Sequence, residues 1–325
     1  MPVNFSSDIA LHILLSVVGF IVLIKCADFF VDGASSFAKN FKIPTTVIGL
    51  TIVAFGTSAP ELAIAFNAHL SNNMDMLFGN VFGSNIVNIS VILGIAILIK
   101  PFKIQDDVIK KEMPILFLIT IGVSVLFLDG LLDSAQTNTL TRADGMILLL
   151  FFCVFIYYLI TVVLNKTGEK KNEMPKYNVF KSIVMILLGL AGIILGSHLV
   201  VDHVSSLAVH IGLSQKIISV TIISIGTSLP ELVTIIVAAK KGENGIAIGS
   251  IVGSNIFNTC IVLGMPVVLL GAASTTAFNG IDIAFMLFST ALLWVFSTTN
   301  RELKRYEGAI FVAVYCAYVF YIFLQ

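Results

Sequence analysis

The chain alternates long apolar runs with short polar breaks. The apolar stretches cover about 9–37, 44–70, 78–99, 108–128, 142–164, 178–208, 214–239, 246–270, 280–298 and 305–324. They are too long for sheet strands, and they approach or exceed the roughly 20 residues a helix needs to cross a hydrocarbon core. Lipid satisfies no backbone hydrogen bond, so a span must be a helix or part of a closed barrel. Runs of this length predict helices. The expected fold is an all-α integral membrane protein with ten transmembrane helices.

Composition agrees with that pattern. Of 325 residues, 57% are apolar and only 12% are charged, too few charges to cover a soluble protein of this size. A disulfide scaffold, a disordered tail and a nucleic-acid binder are excluded. Nineteen basic residues balance nineteen acidic ones, but their placement is uneven. Sixteen of the basic residues fall in the odd-numbered connections, against Arg142 and Lys216 in the even ones. The positive-inside bias then puts both termini outside and the odd loops, including the polar linker 165–178, in the cytoplasm. The first residues lack the basic stretch of a cleaved signal, so the first run is expected to be a retained span. Cys26, Cys153, Cys260 and Cys316 lie inside apolar runs with no CxxC spacing and are expected to be small core hydrophobes.

The chain also repeats itself. Thr51-Ile-Val-Ala-Phe-Gly-Thr-Ser-Ala-Pro-Glu-Leu62 matches Thr221-Ile-Ile-Ser-Ile-Gly-Thr-Ser-Leu-Pro-Glu-Leu232 at an offset of 170 residues. Gly79-Asn-Val-Phe-Gly-Ser-Asn-Ile-Val-Asn88 matches Gly249-Ser-Ile-Val-Gly-Ser-Asn-Ile-Phe-Asn258 at the same offset. Asp32 aligns with Asp202, and Ser35-Ser36 with Ser205-Ser206. The repeat unit holds five spans, and an odd number inverts the second copy relative to the first. Inverted repeats are the architecture of secondary transporters, with the site near mid-membrane where the repeats meet. The expected organisation is a first five-helix repeat over 1–164 (motif 44–99), a linker over 165–178, and an inverted repeat over 179–325 (motif 214–270).

Both signature motifs lie in mid-span. Pro60 and Pro230 lack an N–H, leaving the carbonyls of Gly56 and Gly226 without helix partners, and they push Ala59 and Leu229 away from helical geometry. A break is expected at each. Glu61 and Glu231 lie at these breaks, where an ionisable group costs about 2.5–3.5 kcal/mol on insertion scales. Thr57 shares a helical face with Glu61, and Ala54 lies one turn further back; Thr227 and Ser224 repeat this with Glu231. Ser84 and Asn88 are four apart on the third span, and Ser254 and Asn258 repeat them on the eighth. Carboxylate, hydroxyl, amide and carbonyl oxygens suit a hard cation such as Ca²⁺ or Na⁺; Mg²⁺ is less natural because it sheds water reluctantly. No His or Cys joins the set, which disfavours Zn²⁺ and copper. Asn85 and Asn255 point away from the Ser84/Asn88 face and read as structural. Lys25, Asp28, Asp32 and Asp202 read as local ion pairs or snorkelling helix ends. The five histidines, at 12, 69, 198, 203 and 210, show no ligand spacing.

These motifs resemble those of the sodium/calcium exchangers of the cation/calcium antiporter superfamily, in their short prokaryotic form. Gly56-Thr-Ser-Ala-Pro-Glu61 with Gly83-Ser-Asn-Ile-Val-Asn88, and Gly226-Thr-Ser-Leu-Pro-Glu231 with Gly253-Ser-Asn-Ile-Phe-Asn258, carry the resemblance. It implies antiport of Ca²⁺ against Na⁺ by alternating access, in a prokaryotic inner membrane, with no cofactor, no enzymatic reaction and no protein or nucleic-acid partner. Residue by residue it implies that Glu61 and Glu231 are carboxylates shared by Ca²⁺ and Na⁺, and that Thr57 and Thr227 give backbone carbonyls to Ca²⁺. Ser58, Ser228, Ser84 and Ser254, with the carbonyls of Ala54 and Ser224, would complete flanking Na⁺ sites. Asn88 and Asn258 would sit in the central layer. The first and sixth spans would form the mobile pair.

Two departures bear on coupling. Some relatives carry Asp where Asn258 stands, and in the potassium-dependent branch that Asp goes with K⁺ use. Proton/calcium relatives place Glu in a Gly-Asn-x-x-Glu pattern, whereas here Gly79-Asn80 leads to Gly83 and Gly249-Ser250 to Gly253. Both favour Na⁺. A proton-coupled cation antiporter is the alternative; a channel and an intramembrane hydrolase are the other classes, disfavoured by the inverted duplication and by the lack of a nearby His or Lys base.

Overall fold

The computed structural model describes residues 5–132, 136–166, 174–210, 224–278 and 280–324. Nearly all of them are helical. Helix α1 spans Phe5–Asn40. It ends where Lys42 takes a φ of 55° and the Ile43 N–H closes back on the Ala38 carbonyl at 2.9 Å. Then follow α2 (Thr45–Thr57) and α3 (Ala59–Leu70), which meet at a 45° bend, and α4 (Met74–Ile99). The Asn73 side chain caps α4 by accepting from the Met76 N–H at 3.1 Å. A wide π-helical turn at Val108–Glu112 leads into α5 (Met113–Phe127). Helices α6 (Arg142–Lys166) and α7 (Val179–His210) flank the linker. The second copy continues with α8 (Ser224–Thr227), α9 (Leu229–Lys241) and α10 (Asn244–Leu270), then α11 (Gly280–Asn300) and α12 (Arg305–Leu324).

Helix thus occupies all ten apolar runs wherever residues are described; positions 214–223 of the seventh run lie outside the described residues. Six of these helices are long and apolar enough to cross a membrane, and seven if the bent pair α2–α3 counts as one span.

The offset of 170 residues seen in the sequence is also the offset of the backbone. Wide π-helical turns replace the α-helical pitch at Asn88–Leu93 within α4 and at Asn258–Leu263 within α10. Such turns interrupt the regular backbone hydrogen-bond ladder and are frequent at functional sites. The copies are also stitched together at their loops. Strand β1 (Phe102–Lys103) pairs antiparallel with β4 (Glu302–Leu303), and β2 (Asn138–Leu140) with β3 (Ala273–Thr275).

The layers follow from burial. Every residue of the most apolar stretch of α10 is buried inside the protein, against 17% for α1. Helix α10 is therefore central, while α1 has exposed residues as far as Phe29 and none from Phe30 to Asn40. Close approach explains the glycines on α10: a Cβ at Gly249 would stand 2.6 Å from the Thr46 carbonyl, and one at Gly253 2.6 Å from that of Leu50. Small residues let α2 and α10 pack backbone to backbone, the usual driving force for association where lipid is as apolar as the helix. Helices α1 and α7 pack on each other along their length, and a Cβ at Gly189 would meet the Phe30 backbone at 2.8 Å.

The cysteine expectation needs correction. Only Cys260 is buried; Cys153 and Cys316 are exposed and Cys26 is half-buried. Lipid-facing positions accept small apolar side chains as readily as the core does, so an apolar run does not reveal which face a residue takes.

Candidate ion-binding site

The breaks occur where the prolines require them, one residue earlier than expected. The non-helical residues are Ser58 (φ −87°, ψ 7°) and Ser228 (φ −93°, ψ 6°). Ala59 and Leu229 already begin the next helices, so each proline sits in a first turn, where a missing N–H leaves no bond unmade. Glu61 and Glu231 consequently lie in the first turns of α3 and α9. A helix start carries partial positive charge from its unpaired N–H groups, which favours a carboxylate there.

Both carboxylates are buried, each 1% exposed. They lie within electrostatic reach of one another, and the Ser58 hydroxyl donates to Glu231 Oε1 at 3.2 Å across the copies. The packing is reciprocal: α3 lies against the wide turn of α10, and α9 against the wide turn of α4. Of the expected ligands, Ala54, Thr57, Ser58, Ser84, Asn88, Ser228, Ser254 and Asn258 are all buried, while Thr227 is partly exposed. Helix α8 brings the Ser224 backbone into the same region; its side chain is outside the described residues. The Thr57 hydroxyl donates to the Val53 carbonyl at 3.1 Å.

Many of these buried oxygens have no hydrogen-bond partner among the described residues. Glu61 Oε2, Glu231 Oε2, Asn88 Oδ1, Asn258 Oδ1 and Ser254 Oγ are all in this condition. A buried polar atom without a partner costs about 1–3 kcal/mol, and more when charged. These five are oxygens from both copies, of the kind that can ligate a hard cation, and Asn258 Nδ2 is also without a partner among the described residues.

Asn85 and Asn255, which the sequence places away from the Ser84/Asn88 face, form a hydrogen-bond chain with Asn88. Asn88 Nδ2 donates to Asn255 Oδ1 at 3.0 Å, Asn255 Nδ2 to the Asn85 carbonyl at 3.2 Å, and Asn85 Nδ2 to Thr259 Oγ1 at 2.9 Å. Thr259 was not marked by the motifs. Asn80 also contributes, donating to the Glu61 carbonyl at 3.0 Å.

Other contacts lie away from the centre. Asp28 and Asp32 do form ion pairs, though not local ones: Lys241 reaches them at 2.8 and 2.5 Å, and Lys176 reaches Asp32 at 2.9 Å. The Asp32 carboxylate raises the Lys176 ammonium above its ordinary range. Asp202, the counterpart of Asp32, is exposed, as is Lys25. Tyr158 donates to Glu112 at 2.6 Å and Tyr318 to Asp282 at 2.7 Å. Glu112 and Asp282 are again 170 residues apart, a correspondence the motif search stopped short of. His12 and His203 face each other across α1 and α7, with Nδ1 atoms 2.9 Å apart.

A buried, duplicated carboxylate pair at broken helices defines a membrane transporter of cations. The family model described as sodium/calcium exchanger protein matches residues 11–161 and 181–324, and the chain belongs to that family. It is 37% identical over 318 residues to a putative antiporter, CaxA, of Alkalimonas amylolytica, covering 94% of this chain and 97% of the relative. It is 28% identical to the sodium/calcium exchanger MaX1 of Methanosarcina acetivorans, covering 97% of this chain and 99% of the relative. Among solved structures it superposes on the sodium-calcium exchanger NCX_Mj with a TM-score of 0.81 at 29% identity, covering 96% of this chain and 98% of the other.

Proposed function

We propose that the protein exchanges Na⁺ for Ca²⁺ across a prokaryotic inner membrane by alternating access. The observation that carries this reading is the meeting of Glu61 and Glu231, both buried, amid unpartnered oxygens from both copies. Glu61 and Glu231 are the shared carboxylates. Thr57 and Thr227 give backbone carbonyls to Ca²⁺; Ser58, Ser228, Ser84 and Ser254, with the Ala54 and Ser224 carbonyls, flank them as Na⁺ ligands; and Asn88 and Asn258 complete the central layer. Ca²⁺ takes six to eight oxygens, a number this set can supply. Two carboxylates balance one Ca²⁺, and they cannot also neutralise a full Na⁺ load. Occupancy by the two ions is then mutually exclusive, and exclusive occupancy of one site open alternately to each side is exchange.

In this reading the halves are inverted repeats over 1–164 and 179–325, with ten crossings, both termini outside and the linker 165–178 cytoplasmic. Helices α1 and α7 slide as a pair over the remaining helices. The packing of α1 and α7 along their length supports their moving as one body, and the ion pairs of Lys241 with Asp28 and Asp32 and of Glu243 with Lys39 are contacts such a slide has to remake. Sealed vesicles holding the purified protein test the reading. Isotopic Ca²⁺ uptake should require an outward Na⁺ gradient and be unaffected by K⁺. Uptake indifferent to Na⁺ but driven by a pH gradient would replace the Na⁺ coupling with proton coupling.

A further inference from the structure

The two central amides are held differently, and the cause is one hydroxyl. At the offset of 170, Asn85 corresponds to Asn255, Asn88 to Asn258, and Ile89 to Thr259. In one direction the amides pair across the copies: Asn88 Nδ2 donates to Asn255 Oδ1 at 3.0 Å. The mirror bond would run from Asn258 Nδ2 to Asn85 Oδ1. It is not made, and those two atoms are both buried without a partner. Asn85 has instead given its Nδ2 to Thr259 Oγ1 at 2.9 Å. Ile89, which stands where Thr259 does, has no hydroxyl to offer Asn255.

We propose that Thr259 makes Asn88 and Asn258 unequal ligands by drawing Asn85 away from Asn258. This rests on the exchange reading above and deepens it. Asn88 is locked, since its Nδ2 is committed to Asn255 and its Oδ1 is left for the ion. Asn258 has neither amide atom committed, so it must be ordered each time an ion binds. Ordering a side chain on binding weakens affinity, and a preorganised ligand binds tighter and releases more slowly. One locked and one loose amide set the Ca²⁺ affinity below what two locked amides would give, which speeds release. Asn85, Asn255 and Thr259 are positioning residues in this scheme; none of them need touch the ion.

The test measures Na⁺-driven isotopic Ca²⁺ uptake in proteoliposomes of the full chain. Thr259→Val removes the hydroxyl with little change of shape and frees Asn85 to hold Asn258. It should lower the half-saturating Ca²⁺ about five-fold, the equivalent of one neutral hydrogen bond, and lower the maximal rate. Thr259→Ser keeps the hydroxyl and should match the parent protein. In an Asn85→Ala background Thr259→Val should have no effect, which separates positioning from loss of packing. The mirror change Ile89→Thr offers Asn255 a hydroxyl, loosens Asn88 and should raise half-saturation about five-fold; it keeps the inference testable if Thr259→Val does not fold. Unchanged half-saturation in both single variants, or an effect of Thr259→Val that persists without Asn85, overturns the inference while leaving exchange intact. Parent protein without Na⁺-driven uptake overturns the exchange reading and this inference with it.

Discussion

The two copies of the repeat share one backbone plan and differ in the partners of their side chains, most widely at the ends of α3 and α9. At the centre, Ser58 and Ser228 share one break geometry, Glu61 and Glu231 share one burial, and Asn88 and Asn258 each open a wide turn. Seventeen residues or fewer from these points the side-chain partners diverge. Asn73 caps α4, but its counterpart Glu243 caps nothing with its side chain; it accepts from Ser35 at 2.5 Å and pairs with Lys39 at 3.3 Å, both on α1. Ser71 merely bonds back to the Asn67 carbonyl, whereas its counterpart Lys241 grips Asp28 and Asp32 on α1. The backbone turns that end α3 and α9 are alike: Asn72 (φ 56°) stands where Gly242 (φ 79°) does, and the Asn73 and Glu243 N–H groups close back on the Ala68 and Ala238 carbonyls at 2.8 and 3.0 Å, so the difference lies in the side chains. The comparison separates two demands. The centre must offer both copies to the same ions, and its divergence falls on side chains that stand behind the ligands, such as Thr259 against Ile89. Among the described residues, the end carrying Lys241 and Glu243 is tied by charge to α1 and the end carrying Ser71 and Asn73 is not.

The comparison can be broken most severely at the centre. Glu61→Gln and Glu231→Gln should each reduce Na⁺-dependent Ca²⁺ uptake by at least about 100-fold, the loss of a charge-assisted contact at a desolvated site. Uptake surviving in one variant would show that the copies are not functional twins. At the ends the effects should be smaller. Lys241→Met should lower stability by about 1 kcal/mol, the upper range for a part-exposed ion pair, while Ser71→Met should cost less than half of that. Thermal unfolding in detergent reads both.

Asn73→Ala and Glu243→Ala sharpen the same contrast. Each should cost about 1 kcal/mol, the first by loss of a cap and the second by loss of an ion pair and its hydrogen bond. High salt should erase part of the Glu243 effect and none of the Asn73 effect, because screening acts on charges. The smallest single effect is expected at Ser250, which corresponds to Asn80. Asn80→Ala strips the Glu61 carbonyl of its donor and should cost about 1 kcal/mol. Ser250→Ala removes a buried hydroxyl that has no partner and should be neutral or slightly stabilising. A penalty for Ser250→Ala equal to that of Asn80→Ala would mean the copies are more alike here than their contacts indicate.

Much of the fold is legible along the chain because its causes are local. Pro60 and Pro230 break a helix whatever surrounds them, and a run such as 142–164 is too apolar and too long to be anything but a membrane helix. The twin motifs placed Glu61, Glu231, Asn88 and Asn258 in one list without any coordinates. The break was misplaced by one residue, since the sequence shows that proline cannot continue a helix but not that it can begin one. Cys153 and Cys316 were misjudged because hydrophobicity is the same facing lipid or facing the core. Glu112 and Asp282 lie outside the two motifs, and only their matching hydrogen bonds from Tyr158 and Tyr318 mark them as a pair.

By itself, then, the sequence determined a helical membrane protein, duplicated at an offset of 170, with an oxygen-rich pair of motifs at two breaks. The tertiary structure alone decided that Ser58 answers Glu231 rather than Glu61, that Lys241 answers Asp28 and Asp32, and that Asn85 turns to Thr259 and not to Asn258. These are contacts between groups more than 170 residues apart. A hydrogen bond depends on ångström-scale distance and on the orientation of an amide or hydroxyl. Helix periodicity fixes a residue's face, but the partner across the interface fixes which atom is used.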